Sequence, residues 1–231
     1  MATNYKYSKE LWLNGRPQLH VIKTKISNIC TETICKPLTD TSYYGINGGF
    51  FDSRDYHKTP NASRAICVDT GESGKKITVG GKTFYKNYNY NNTSSNPISR
   101  KTAVIYTVSG TKKMTSMYAK TRDNVAAKYP KYNQIIGGMD YSSKAWGTKA
   151  YSAPTQRTVL AWSGSSYAYL IVTEVAMSIP GLKKAVEQLG LNSANSIVLD
   201  GSGSTSMKCK EFVKKGDKRH IFNMVRLFKT S

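Results

Sequence analysis

Three short segments carry residue types suited to a phosphorylated ligand. In Ile46-Asn47-Gly48-Gly49-Phe50-Phe51, two glycines let the backbone approach a ligand closely, and successive N–H groups there can form an anion-binding nest. Asn47 offers both an amide donor and an acceptor to sugar hydroxyls or phosphate oxygens. Gln156-Arg157-Thr158 places a guanidinium, which can fork onto a phosphate, at the head of a strand. Leu199-Asp200-Gly201-Ser202-Gly203-Ser204-Thr205 ends an apolar strand on a carboxylate and continues into a small, hydroxyl-rich turn. This is no Walker loop, because the GK[ST] element is absent. Each segment also has a plainer reading: a Gly-Gly turn between strands, a surface ion pair for Arg157, and an Asx turn at Asp200.

The elements that would position these segments are mostly short strands. Leu19–Ile26 alternates apolar and polar residues, and Tyr43–Phe51 runs into its Gly-Gly turn. Ala65–Asp69, Thr102–Val108, Thr158–Trp162, Tyr167–Thr173, Ser196–Asp200 and His220–Phe228 also read as strands, and Ile135–Met139 carries a second Gly-Gly turn. Ser163–Ser166 suits a hairpin, and Gly80–Asn96 an exposed loop or hairpin region. Two helices are expected. Asp123–Tyr129 stops before Pro130. Leu182–Leu189 has Pro180 near its start and Gly190 in the C-cap position. The pattern predicts an α+β fold: one domain over residues 19–231 with mixed or antiparallel sheets and few helices, preceded by an extension over residues 1–18.

The 231 residues can bury a sizeable core without disulfide staples. Thirty-four Lys and Arg against fourteen Asp and Glu give a net charge of +20. Such a surface attracts polyanions, with nucleic acid and anionic glycans as the candidate partners, or else serves solubility alone. Cys30, Cys35, Cys67 and Cys209 read as buried free thiols rather than zinc ligands, since His20, His57 and His220 are scattered. No metal and no cofactor is expected. No apolar run approaches the length of a membrane span and no secretory leader is visible, so the expected location is cytoplasmic or on a virus particle. A small lysine-rich chain of this kind suits a bacteriophage or a low-GC bacterium.

Taken in order, the three segments resemble the INGGFF, RT and LDGGGS signatures of the phosphodiester glycosidase family. Ile136-Gly137-Gly138 is similar to that family's glycine-rich segment before RT. Leu170–Glu174 and Leu182–Gly190 resemble the strand and helix leading into LDGGGS, and Asn223 and Arg226 its closing Asn and Arg. Ser202 departs from the middle Gly of LDGGGS, and Glu174 stands where many relatives have Asp-Gly-Arg.

The resemblance implies hydrolysis of the bond between a sugar C1 and a phosphodiester, with a small or polymeric phosphorylated glycan as substrate. Arg157 and the N–H groups near Gly48 and Gly49 would hold the phosphate. Asp200 would attack the anomeric carbon or activate water, with Asn47 and Ser204 orienting the substrate and Glu174 as a reserve carboxylate. Thr158, Gly201, Ser202 and Arg226 would complete the binding site. A phosphate leaves as a weak base, so such a site needs charge stabilisation more than acid catalysis. Two other functions stay open: a non-catalytic module that sequesters a sugar phosphate or nucleotide, and a basic nucleic-acid-binding protein that uses its tyrosines for stacking.

Overall fold

The computed structural model describes residues 4–89, 98–164 and 166–230. Strands are numbered along the chain. The first half holds β1 (Tyr5–Leu13), β2 (Arg16–Lys25), β3 (Ile29–Lys36), β4 (Gly45–Asn47), β5 (Phe51–Asp52), β6 (Ala62–Ser63), β7 (Cys67–Asp69), β8 (Lys76–Val79), β9 (Lys82–Tyr85), β10 (Arg100–Val108) and β11 (Thr111–Ala119). Helix α1 (Arg122–Lys128) and β12 (Tyr132–Gly137) follow, then α2 (Ser143–Ser152), β13 (Thr158–Ser163), β14 (Tyr167–Thr173), α3 (Ile179–Gln188), β15 (Ser196–Val198), β16 (Met207–Lys208), β17 (Val213–Lys214) and β18 (Ile221–Leu227).

Three larger sheets form, ordered β1-β2-β14-β13-β15, β17-β16-β4-β18-β3 and β11-β10-β12-β7. Every strand pairing among the described residues is antiparallel. The protein is therefore an α+β domain built on antiparallel sheets. Inward-facing residues of all three sheets share one core: Ile22, Leu160 and Leu170 from the first, Ile46 and Val225 from the second, Ile105 and Ile136 from the third. The other face of the first sheet packs Val159, Ala161 and Ile171 against Leu182, Ala185 and Val186 of α3. β13 and β14 are thus covered on both faces. That explains their nearly unbroken apolar runs, a pattern more usual in parallel sheets.

The helix signals act as read. The Ser178 side chain accepts from the Gly181 N–H, Pro180 sits in the first turn, and Gly190 takes a left-handed φ of 74° just past the end. α1 carries a capping box between Thr121 and Asn124. α2 is an addition to the two expected helices. Its Gly147 (φ 69°) interrupts the helix, so the segment shows no helical periodicity. Residues 5–18, read as an extension, instead form β1 and the start of β2. That hairpin extends the first sheet and pairs directly with β14. Of the expected loop over residues 80–96, residues 80–85 hold a turn and β9, and residues 90–96 lie outside the described residues. All four cysteines are buried and unpaired. No helix among the described residues is long and apolar enough to cross a membrane.

One buried amide joins the sheets. Asn47, fully buried at the end of β4, donates from Nδ2 to the Asp200 carbonyl at 2.8 Å. Its Oδ1 accepts from the Thr158 hydroxyl at 2.7 Å and from the Ser206 N–H at 3.0 Å. Backbone bonds reinforce the joint: Asp200 N to Gly48 O, Leu199 N to Thr158 O, and Asn47 N to Ser206 O. Removing the amide strands three buried partners, each costing roughly 1–3 kcal/mol. Asn47→Ala should lower the unfolding free energy by about 3 kcal/mol or more in urea denaturation. A loss below about 1 kcal/mol would show that the amide does not hold the sheets together.

Candidate functional site

Antiparallel order brings three chain segments to one end of the first sheet. β13 begins there, while β14 and β15 end there, so Arg157, Glu174 and Asp200 all sit at that margin. Asp200 follows β15 and is partly exposed as a residue, but its carboxyl group is recessed among packed atoms. Burial pushes its pKa up to about 6. The nearby Ser204 hydroxyl, the Gly201 N–H (3.0 Å from Oδ1) and the charge of Arg219 oppose that rise without cancelling it. The Ser204 hydroxyl approaches Asp200 without a well-formed hydrogen bond. It and the Thr205 hydroxyl are buried and make no hydrogen bond among the described residues. Buried hydroxyls of this kind are ordinarily satisfied by an internal water.

The turn after Asp200 is tightly determined. Ser202 N donates to Gln156 O at 2.7 Å, tying it to the head of β13. A side chain at Gly201 would meet that same carbonyl at 2.7 Å. Ser202, standing where the resembled signature has Gly, adopts φ 57°. A left-handed φ costs a non-glycine residue roughly 1–2 kcal/mol, so strain is held beside Asp200.

Arg157 is buried, and burial lowers its pKa. Its Nε donates to Met177 O at 3.0 Å, and Nη2 to Ala153 O at 2.9 Å and Ala150 O at 3.2 Å. The guanidinium lies over the Trp146 ring, 5.0 Å from its centroid, and Phe50 meets that ring edge-on. No carboxylate pairs with Arg157 among the described residues, and Nη1 makes no hydrogen bond there. Arg157 thus braces the carbonyls around α2 with half of its fork while carrying a buried, unneutralised charge.

Other roles expected from the sequence change. The N–H groups of Gly48 and Gly49 do not form a free nest. They donate to the Asn223 carbonyl and side-chain oxygen, both at 2.9 Å. A Cβ at Gly48 would lie 1.8 Å from Asn223 Oδ1, so this glycine is required by strand contact. Asn47 and Thr158 spend their side-chain groups on each other and on the joint, which makes them positioning residues. Glu174 faces the surface, 3.2 Å from both Lys214 Nζ and His20 Nε2. Arg226 points to a buried pair with Glu32 (3.0 Å) and stacks over Tyr43, so it holds β18 to β3 rather than substrate.

The residues missed in the sequence are Asp217 and Arg219. Arg219 Nη2 lies 2.6 Å from Asp217 Oδ2 and packs over Tyr56, and its charge acts on Asp200. They press against Gly203, where a Cβ would come within 2.2 Å of both side chains. In the sequence they are buried in the basic run Lys214–His220 and carry no motif. A cleft of about 400 Å³ opens beside them, lined by Thr155, Gln156, Ser202, Gly203 and Asp217. A larger cleft of about 660 Å³ beside Lys101, Tyr118 and Asp140 contains none of the motif residues. The smaller cleft takes Gln156, Ser202 and Gly203 from the motif segments, while Asp200, Arg157 and Asn47 do not line it. No group of three metal-binding side chains forms among the described residues.

Comparison with known proteins places the fold. No protein-family profile matches the sequence, and no curated protein sequence matches it. Solved structures do. One is the catalytic domain of zebrafish N-acetylglucosamine-1-phosphodiester alpha-N-acetylglucosaminidase, auto-inhibited by its pro-peptide. It aligns at TM-score 0.55 and 14% identity over 98% of this chain and 82% of that one. Another is a hypothetical protein from Synechocystis, at TM-score 0.55 and 14% identity, covering 97% of this chain and 61% of that one. At such identities the likeness is one of fold: this chain is folded like a phosphodiester glycosidase catalytic domain.

Proposed function

We propose that the protein hydrolyses a sugar-1-phosphodiester, with Asp200 as the carboxyl acting at the anomeric carbon. The observation that carries this reading is the recessed Asp200 carboxyl, its pKa raised to about 6. It sits where the INGG, RT and LDGSGS segments are tied together, in a fold shared with a phosphodiester glycosidase catalytic domain. A carboxyl titrating near neutrality is suited to proton transfer, whereas one serving only as a turn cap has no need of it.

In this mechanism the ionised Asp200 takes a proton from water as the water oxygen bonds to C1. The C1–O bond breaks, and its electron pair leaves on the phosphate monoester. That leaving group is a weak base and needs little protonation. The two N–H groups of Arg157 Nη1, which bond to no described residue, would offer the phosphate a charge-assisted contact. Trp146 and Phe50 offer an apolar wall for a sugar face. The basic surface suits a phosphorylated glycan, small or polymeric, as substrate.

Two experiments test the reading. Asp200→Asn should cut kcat on a hexose-1-phosphodiester at least about a hundredfold, and wild-type kcat should rise as pH passes upward through about 6. Turnover near wild type in the mutant would remove Asp200 from the mechanism and favour a sequestering module. The same substitution should stabilise the fold. A carboxyl whose folded pKa is raised favours the folded state below its unfolded pKa and loses that advantage as pH rises through the folded value. Asp200→Asn should therefore raise Tm at pH 7.5 and leave it nearly unchanged at pH 4. A lower Tm at pH 7.5 would identify Asp200 as a structural cap. Arg157→Lys, which keeps the charge but loses the fork, should raise KM for phosphodiester substrates more than for neutral aryl glycosides; equal losses on both would deny Arg157 a phosphate contact.

A further inference from the structure

The opposite end of the first sheet carries a different surface. β2 ends there at Lys25, paired with Tyr167 at the start of β14, a full strand length from Glu174 and the Asp200 margin. A groove of about 940 Å³ lies across it and continues into a second of about 440 Å³, the two sharing Lys25, Ser27, Lys112 and Tyr167. Lys6, Lys23, Lys25, Lys112 and Lys229 line the groove, and no acidic residue does. None of the five makes an ion pair among the described residues, although eleven such pairs form elsewhere.

Aromatic rings stand among these lysines. Tyr167 is 41% exposed and Phe228 46%. Lys23 Nζ sits 4.6 Å from the Tyr167 ring centroid, and Lys112 Nζ 5.4 Å from that of Phe228. The floor is firm. Asn28, buried between β2 and β3, donates to the Lys229 carbonyl at 3.0 Å and accepts from the Lys229 N–H at 2.8 Å, while Phe228 N donates to Asn28 O. Asn28 and Thr24 also hold the Asn4 carbonyl. The backbone at Asn4 and at Lys229 is thereby held to one floor.

We infer that this groove binds single-stranded nucleic acid, with the lysines tracking the phosphates and Tyr167 and Phe228 offering faces to bases. Unpaired lysines alone suit any polyanion. Exposed rings set between them add stacking, which is available to bases but not to a bare phosphate chain. The inference is independent of the glycosidase reading, because the groove shares no residue with the Asp200 margin.

The test is fluorescence anisotropy with labelled oligo-dT, repeated with inorganic polyphosphate as competitor across a salt series. Lys25→Glu with Lys112→Glu should weaken oligo-dT binding at least tenfold and flatten its salt dependence. Lys128→Glu with Lys184→Glu, an equal change of net charge on α1 and α3, should do neither. Tyr167→Ala with Phe228→Ala should weaken oligo-dT at least fivefold and leave polyphosphate unaffected. Circular dichroism confirms folding of each variant. Equal effects of the two lysine pairs would reduce the groove to general surface charge. Polyphosphate or a glycan phosphate polymer binding as tightly as oligo-dT, with no loss in the aromatic variant, would overturn the nucleic-acid assignment. Hydrolysis of a hexose-1-phosphodiester should be unchanged in all groove variants, so failure here leaves the proposed chemistry standing.

Discussion

The geometry of the candidate site depends on one buried primary amide. A side-chain amide can donate and accept at once, and Asn47 does both in a space closed to water. Its donor end holds the Asp200 carbonyl, and its acceptor end holds Thr158 and Ser206. Each of these partners lies more than a hundred residues from Asn47 in sequence. Aspartate in its place would have nothing to give the Asp200 carbonyl, and an apolar residue would strand every partner. The motif asparagine is therefore explained by assembly: it sets where the recessed carboxyl stands without needing to touch a ligand.

The same reasoning redistributes the remaining motif residues. Gly48 lies against Asn223, and Gly201 lies against the Gln156 carbonyl. Both are small because another strand passes there, not because an anion does. Arg157 divides its work, bracing three carbonyls while its charge stays unmatched. Burying a cation without a counter-ion is costly, and the stacked Trp146 ring recovers only part of that cost. A phosphate arriving beside it would supply the missing charge. On the proposed reading, fold and ligand binding would draw on one side chain, which its sequence context, a lone Arg among many basic residues, does not reveal.

What could be read from the sequence follows the reach of the interactions. β14 and α3 were legible because their signals are local: an apolar run, a proline at the start, a glycine past the end. β3 was not, because Thr31, Glu32 and Thr33 interrupt its apolar pattern. They are buried all the same, since Glu32 meets Lys86 and Arg226, and Thr31 meets Gln134 and Cys67. β11 was hidden by its lysines and threonines. Their partners lie on β10, which supplies the missing half of the pattern only after pairing. The site divides the same way. Asp200 was legible as a carboxylate at a strand end. The pairing of Asp217 with Arg219 was not, since nothing local distinguishes it within a basic run. The spending of the Gly48 and Gly49 N–H groups on Asn223 was hidden too, because that partner lies on the last strand.

The two ends of the first sheet also differ in how they treat charge. At the Asp200 margin Asp200 and Arg157 are recessed, Asp200 held by its own turn and Arg157 by carbonyls, while Arg219 is held by the exposed Asp217. Burial at Asp200 makes its pKa shift large. At the Lys25 end the charges are numerous, of one sign, half-exposed or exposed, and without ion pairs among the described residues, so each is weak and screened within about 8 Å in physiological salt. On the readings proposed above, the first arrangement would discriminate one small charged group and the second would gather a long polyanion. A net charge of +20 is an average over both, and it describes neither end. The physical question it raises is local: which cations lack a carboxylate, and whether water can reach them.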